Sequence, residues 1–219
     1  MVSPSDKEYI ETKNIKKGFS KMASPFAELA DWMFLNFSVR PLNIIYDILE
    51  HNKRPRLQVI FEFYKDNIAF KTENGFPNSS RQERVQEAFH TITLKDPKYN
   101  TDNLFVLFGS FEPIAKEEAN GKISNQKLDE LKGNLNDKEI WKIQRNFSTG
   151  IFFYYSDDQV KQNEFNGKKE HLKKEYFKLI KDCDEFGYLD ESNFFIKLDS
   201  KENFDKNYQS NWFYYYKDN

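Results

Sequence analysis

Two runs of adjacent rings limit how this chain can fold: Phe152, Phe153, Tyr154 and Tyr155 in one, and Trp212, Phe213, Tyr214, Tyr215 and Tyr216 in the other. Successive side chains of a strand point to opposite faces, so a strand made of consecutive rings carries rings on both sides. Each side then needs a covering layer or a partner. These runs belong to a general excess of rings, 22 Phe, 12 Tyr and 3 Trp in 219 residues. Most of that excess is core by spacing: Phe26, Phe34, Phe61, Phe63, Phe89 and Tyr176 all fall on periodic inward faces.

Composition narrows the class. The single cysteine, Cys183, allows no internal disulfide, so the core must stand on packing alone. Lysine plus arginine number 33 and aspartate plus glutamate 35, a net charge of -2, which supplies no basic field for nucleic acid or an anionic membrane. Residues 1–23 are polar and lysine-dotted and are expected to form a flexible arm without a secretory signal. No apolar run approaches the roughly 20 residues that span a bilayer, so the expectation is a cytoplasmic protein with no membrane association.

Along the chain, Phe26, Leu29, Ala30, Met33 and Phe34 give a helix opened by Ser24 and Pro25. Residues 42–49 and 57–64 form a strand pair joined by a polar loop, and Ser80 with Glu83 opens a helix whose inner face is Val85, Ala88, Phe89 and Ile92. A strand follows at 104–108. Residues 113–136 are charged and polar, carry a short helix around Leu128 and Leu131, and are expected to connect a first half, 24–112, to a second, 137–219. The second half repeats the order. A hairpin spans 141–147 and 150–155, Ser156 with Gln159 opens a short helix, 168–183 is a strong helix, and 193–198 is a strand. Asp199 or Ser200 caps a helical turn, and residues 212–216 close the chain as a strand with Trp212, Tyr214 and Tyr216 on one face and Phe213 and Tyr215 on the other. The fold class is α+β, mostly antiparallel sheet with helices on one face, arranged as two similar α-β-β-α-β subdomains or as one continuous domain.

Few residues assemble into chemistry. His51, His90 and His171 stand apart with no second ligand at helical or strand spacing, and Cys183 lies on the inner face of its helix. Residues 182–193 have the outline of a calcium loop, but Phe186 stands where an oxygen donor is needed and Asn193 where a glutamate closes the site, so Gly187 is taken as a turn former. Asp47 and Glu62 on the first hairpin are the best metal-dependent nuclease pair, although Lys65 falls on the opposite face from the one such a site requires. The basic cluster at 52–56 and the lysines of 168–181 are interrupted by acids, the pattern of a solvated, ion-paired face.

These observations point to a non-enzymatic module that binds another protein, needs no cofactor or metal, and uses Trp212, Tyr214 and Tyr216 with Tyr154 of the second hairpin as its contact surface. The rival readings are the nuclease on Asp47 and Glu62, and an assembly component of a larger or phage-related structure. In general character, compact, mildly acidic and tyrosine-rich, the chain resembles bacterial immunity or antitoxin-type binding proteins. That resemblance rests on no matched motif and assigns no residue a role.

Overall fold

The computed structural model describes residues 3–218, and the chain divides into two compact units, Met1–Ile114 and Ala115–Asn219. The first contains α1 (Lys7–Lys16), α2 (Phe26–Phe37), β1 (Asn43–Ile48), β2 (Pro55–Phe61), α3 (Tyr64–Ile68), α4 (Ser79–Thr93) and β3 (Phe105–Ser110). The division falls within α5 (Phe111–Gly121). The second unit continues with α6 (Asn125–Leu135), β4 (Ile140–Asn146), β5 (Thr149–Tyr154), α7 (Asp157–Phe165), α8 (Lys168–Lys181), β6 (Lys197–Ser200), α9 (Lys201–Tyr208) and α10 (Trp212–Asp218). Each unit carries one three-stranded sheet, in the orders β1-β2-β3 and β4-β5-β6. In both, the first pair is antiparallel and the second parallel, so the class is α+β with mixed sheets. A parallel neighbour cannot be reached by a tight turn. The crossover is made by α3 and α4 in one unit and by α7 and α8 in the other.

The middle strands decide what packs where. Every residue of β5 is buried: Phe152 and Tyr154 face a core with Leu172, Tyr176 and Ile180 of α8, while Ile151 and Phe153 face a second core with Phe204 of α9 and Tyr215 of α10. Helices therefore cover both sides of this sheet. In β2, Leu57, Val59 and Phe61 enter a core with Leu29 and Met33 of α2 and Val85 and Phe89 of α4. Its other side presents Arg56, Gln58 and Ile60, and is met by α1 through Tyr9 and Thr12, both buried. Glu8 of α1 lies 3.6 Å from the Arg56 guanidinium and accepts from the Gln58 amide at 3.3 Å. Residues 7–16 are thus a docked helix and not part of a flexible arm, because Tyr9 and Thr12 give α1 one small face to bury.

Residues 113–136, expected as the connecting segment with a short helix around Leu128 and Leu131, hold the division between the units and are mostly helical: α5 and α6 fill most of the segment, and Leu128 and Leu131 of α6 are buried in the second unit's core. Arg145 of β4 fastens the turn between these helices by donating to the carbonyls of Gly121 (3.1 Å) and Ile123 (2.6 Å) and to Asn125 Oδ1 (2.8 Å). The helix α4 is capped by Asn78, which accepts from the Arg81 amide, and not by Ser80. The terminal strand expected at 212–216 is the helix α10. The capping box of Ser156 and Gln159 is present. Gln82 and Gln86 of α4 donate to the carbonyls of Val106 and Leu104, so the amides of one helix occupy acceptors along the edge strand β3.

Gly150 of β5 is required by a close approach. A Cβ there would sit 2.5 Å from the Tyr176 ring, whose hydroxyl donates to Asn120 Oδ1 at 2.7 Å, while Asn120 Nδ2 donates to the carbonyls of Phe147 and Thr149. Displacing the ring breaks this buried network. Gly150→Ala is expected to destabilise the second unit by about 1–3 kcal/mol, measured by urea denaturation; a stability equal to wild type would show that Tyr176 moves freely.

Candidate functional site

Local chain reversal builds the terminal site. After α9, Gln209 and Ser210 adopt positive φ (54° and 55°), which turns the chain back, and the Asn211 side chain then accepts from the Phe213 amide at 2.9 Å. The Asn211 carbonyl accepts from the Tyr215 amide at 3.1 Å, closing the first helical turn. Trp212, Tyr215 and Tyr216 share the inward face at i, i+3 and i+4. Trp212 stacks on Phe204 with ring centroids 4.2 Å apart, and Tyr215 lies 5.3 Å from Phe153. The Tyr215 hydroxyl donates to Asp199, and that of Tyr216 to the Arg145 carbonyl at 3.2 Å. Lys142 sits 5.1 Å over the Trp212 ring.

The outward face carries Phe213, 71% exposed, and Tyr214, 45% exposed, their ring centroids 5.8 Å apart. Of the four residues assigned to a contact surface from the sequence, only Tyr214 faces solvent in this way. Trp212 and Tyr216 are half-buried against the sheet, and Tyr154 is fully buried on the other face of β5. The structure therefore does not bring Tyr154 to the other three, and it adds Phe213, which a strand reading had placed with Tyr215. A helical count of the same five residues separates Phe213 and Tyr214 from the rest.

The buried phenols share an electrostatic character. Burial pushes the Tyr215 hydroxyl well above the ordinary tyrosine range, and the hydrogen bond to Asp199 and its charge add to the rise. Burial raises Tyr176 and Tyr154 likewise; for Tyr154 the charges of Asp137, Glu139 and Glu164 push further in the same direction. Among the described residues the Tyr154 hydroxyl has no hydrogen-bond partner, while Lys168 lies 5.7 Å from its ring and 2.6 Å from Asp137. Folded pKa values above the unfolded value of about 10 contribute stability that is complete below that pH and is lost as pH rises toward the folded values. Thermal unfolding followed by circular dichroism is expected to show a melting temperature that falls steadily above about pH 10, with the tyrosinate absorbance of the buried phenols appearing together with unfolding. Tyrosinate signal from all phenols before any unfolding would contradict this.

The nuclease pair does not assemble. Asp47 receives Arg56 through two contacts, Nε at 2.9 Å and Nη2 at 2.5 Å, plus the Gln58 amide at 3.2 Å, and Glu62 pairs with Lys16 at 2.5 Å. Asp47 is registered opposite Arg56, six residues before Glu62 on the neighbouring strand, so the two backbone positions lie roughly 20 Å apart along the strand direction. One or two metal ions cannot bridge that span. Among the described residues no three His, Cys, Asp or Glu side chains come together as a metal site. The two arginines of the basic cluster at 52–56 are spent internally: Arg54 lies over Phe105 and donates to the Asn103 carbonyl, and the Asp47 hydrogen bond holds Arg56 above the ordinary arginine range.

In the calcium-like loop the acids serve the turn. Asp184 accepts from the amides of Tyr188 (3.0 Å) and Leu189 (2.9 Å) and from Lys181 (3.0 Å), and Gly187 has φ of 71°. Burial pushes the Asp184 pKa up, but these three donors outweigh it and leave it below the usual carboxylate range. A depressed folded pKa contributes stability above the unfolded value near 3.9 that is lost as pH falls through the folded one. Asp184→Asn is expected to cost about 1–3 kcal/mol near neutral pH, with the gap to wild type closing in acid; a gap independent of pH would refute the carboxylate's role.

Among the described residues no helix is long and apolar enough to cross a membrane. Compared with family models, with curated proteins and with solved structures, the chain matches none.

Proposed function

We propose that the protein is a non-enzymatic binding module for another protein and that the outward face of α10 is its contact. The carrying observation is the adjacent exposed pair Phe213 and Tyr214 on a helix whose opposite face is fixed by Trp212 and Tyr215. Aromatic side chains bring large contact area, and a helix already held in place loses little further freedom on binding. The immunity- or antitoxin-type role is the narrower form of this reading, in which the partner is a toxic protein. The nuclease reading is set aside on the separation and ion pairing of Asp47 and Glu62.

Phe213→Ala with Tyr214→Ala removes the outer rings and leaves the inward face intact, and surface changes of this kind usually alter stability by no more than about 0.5 kcal/mol. The partner is to be captured by the wild-type chain, purified, and titrated by calorimetry against both forms. The double variant is expected to bind at least about tenfold more weakly. Equal affinity of the two forms, or light scattering that shows the chain associating only with itself, would overturn the proposal.

A further inference from the structure

The two sheets treat a strand glycine in opposite ways. On β5, Gly150 is covered by the Tyr176 ring, which leaves no room for a Cβ. On β3, Gly109 has no such neighbour: a Cβ built there meets no atom within 4 Å, and its φ is not in the left-handed region. Neither crowding nor backbone conformation calls for glycine at this position. Glycine inside a strand otherwise weakens it, and commonly marks a place where something approaches the backbone closely.

Gly109 forms part of the wall of a cavity of about 160 Å³ in the first unit. The cavity lies on the side of the sheet that α1 covers, between Tyr9 and Thr12 of that helix and Gln58, Ile60 and Leu107 of the sheet, and Ile114 also lines it. Gly109 is registered beside Ile60, and Leu107 beside Gln58, so the wall is mainly apolar, with the Gln58 amide and the hydroxyl residues Thr12 and Ser110 among its lining. Gln58 is buried to 7% exposure, and its Nε2 donates to Glu8 and Asp47, which leaves Oε1 as an acceptor. An acceptor on a largely buried side chain beside mainly apolar walls suits a neutral ligand with one donor. The volume matches a single ring: an apolar protein cavity of about 150 Å³ accepts benzene.

We propose that this cavity is a binding site for a small neutral aromatic molecule bearing one hydrogen-bond donor, of the size of phenol, and that Gly109 is glycine because the ring lies against it. The ring would occupy over Gly109 the kind of position that Tyr176 occupies over Gly150. No residue of α10 lines this site.

The test uses the full chain, isotopically labelled, titrated with phenol and followed by amide and methyl NMR shifts. Saturable shifts are expected at Gln58, Ile60, Leu107, Gly109 and Ile114. Gly109→Leu fills the cavity and is expected to weaken binding at least tenfold, and Gly109→Ala to weaken it by less. Should the leucine variant fail to fold, the alanine variant carries the comparison. The absence of saturable shifts up to the solubility of phenol, or an affinity unchanged in Gly109→Ala and Gly109→Leu alike, would overturn the proposal. The Phe213 and Tyr214 double variant is expected to bind phenol as wild type does.

Discussion

The complete burial of β5 is the constraint on which the second unit is built. A six-residue strand with Ile151 and Phe153 on one side and Phe152 and Tyr154 on the other cannot leave either side to water. A buried aromatic side chain is worth several kcal/mol relative to its truncation, so two ring-bearing faces are a large share of a domain's net stability. The outer face is closed by Phe204, Trp212 and Tyr215, and these come from helices that follow β6 in sequence. The unit therefore becomes whole only when its last helix is in place. In that sense α10 is both lid and display: its inward rings finish the core, and the same helical geometry leaves Phe213 and Tyr214 outside.

The first unit has the same strand order and crossover but a different middle strand. β2 is apolar on one side only; its other side offers Arg56, Gln58 and Ile60. A face of that kind needs a lighter cover with ionic partners, and α1 supplies it through Glu8, Tyr9, Thr12 and Lys16. Partial cover is what leaves the cavity beside Gly109. The contrast between the units thus follows from which side chains alternate along a single strand in each.

Much of this was legible in the sequence wherever one local signal was enough. Both hairpins, the Ser156 and Gln159 cap, and the inner face of α8 through Leu172, Tyr176 and Ile180 follow from period and capping chemistry. The terminal helix was missed because aromatic residues favour strands, a propensity that tertiary context readily overrides. The spacing of Trp212, Tyr215 and Tyr216, with Asn211 ahead of them, was the signal for a helix. Residues 7–16 were missed for another reason: a face of only Tyr9 and Thr12 is too narrow to stand out from a lysine-rich background. The positions of Asp47 and Glu62 in separate ion pairs, and the space over Gly109, depend on strand register and helix placement, which no local pattern carries. Gly109 and Gly150 look alike in the sequence, yet only one has a ring above it.

Because α10 completes the core around β5, the protection of that strand depends on the terminal helix. Hydrogen exchange by mass spectrometry on the full chain and on a chain ending at Ser210 tests it most directly, with β2 of the other unit as internal reference. β5 is expected to be among the slowest-exchanging segments of the full chain and to lose that protection in the shortened one, while β2 keeps its own. Undiminished protection of β5 without α10 would contradict it.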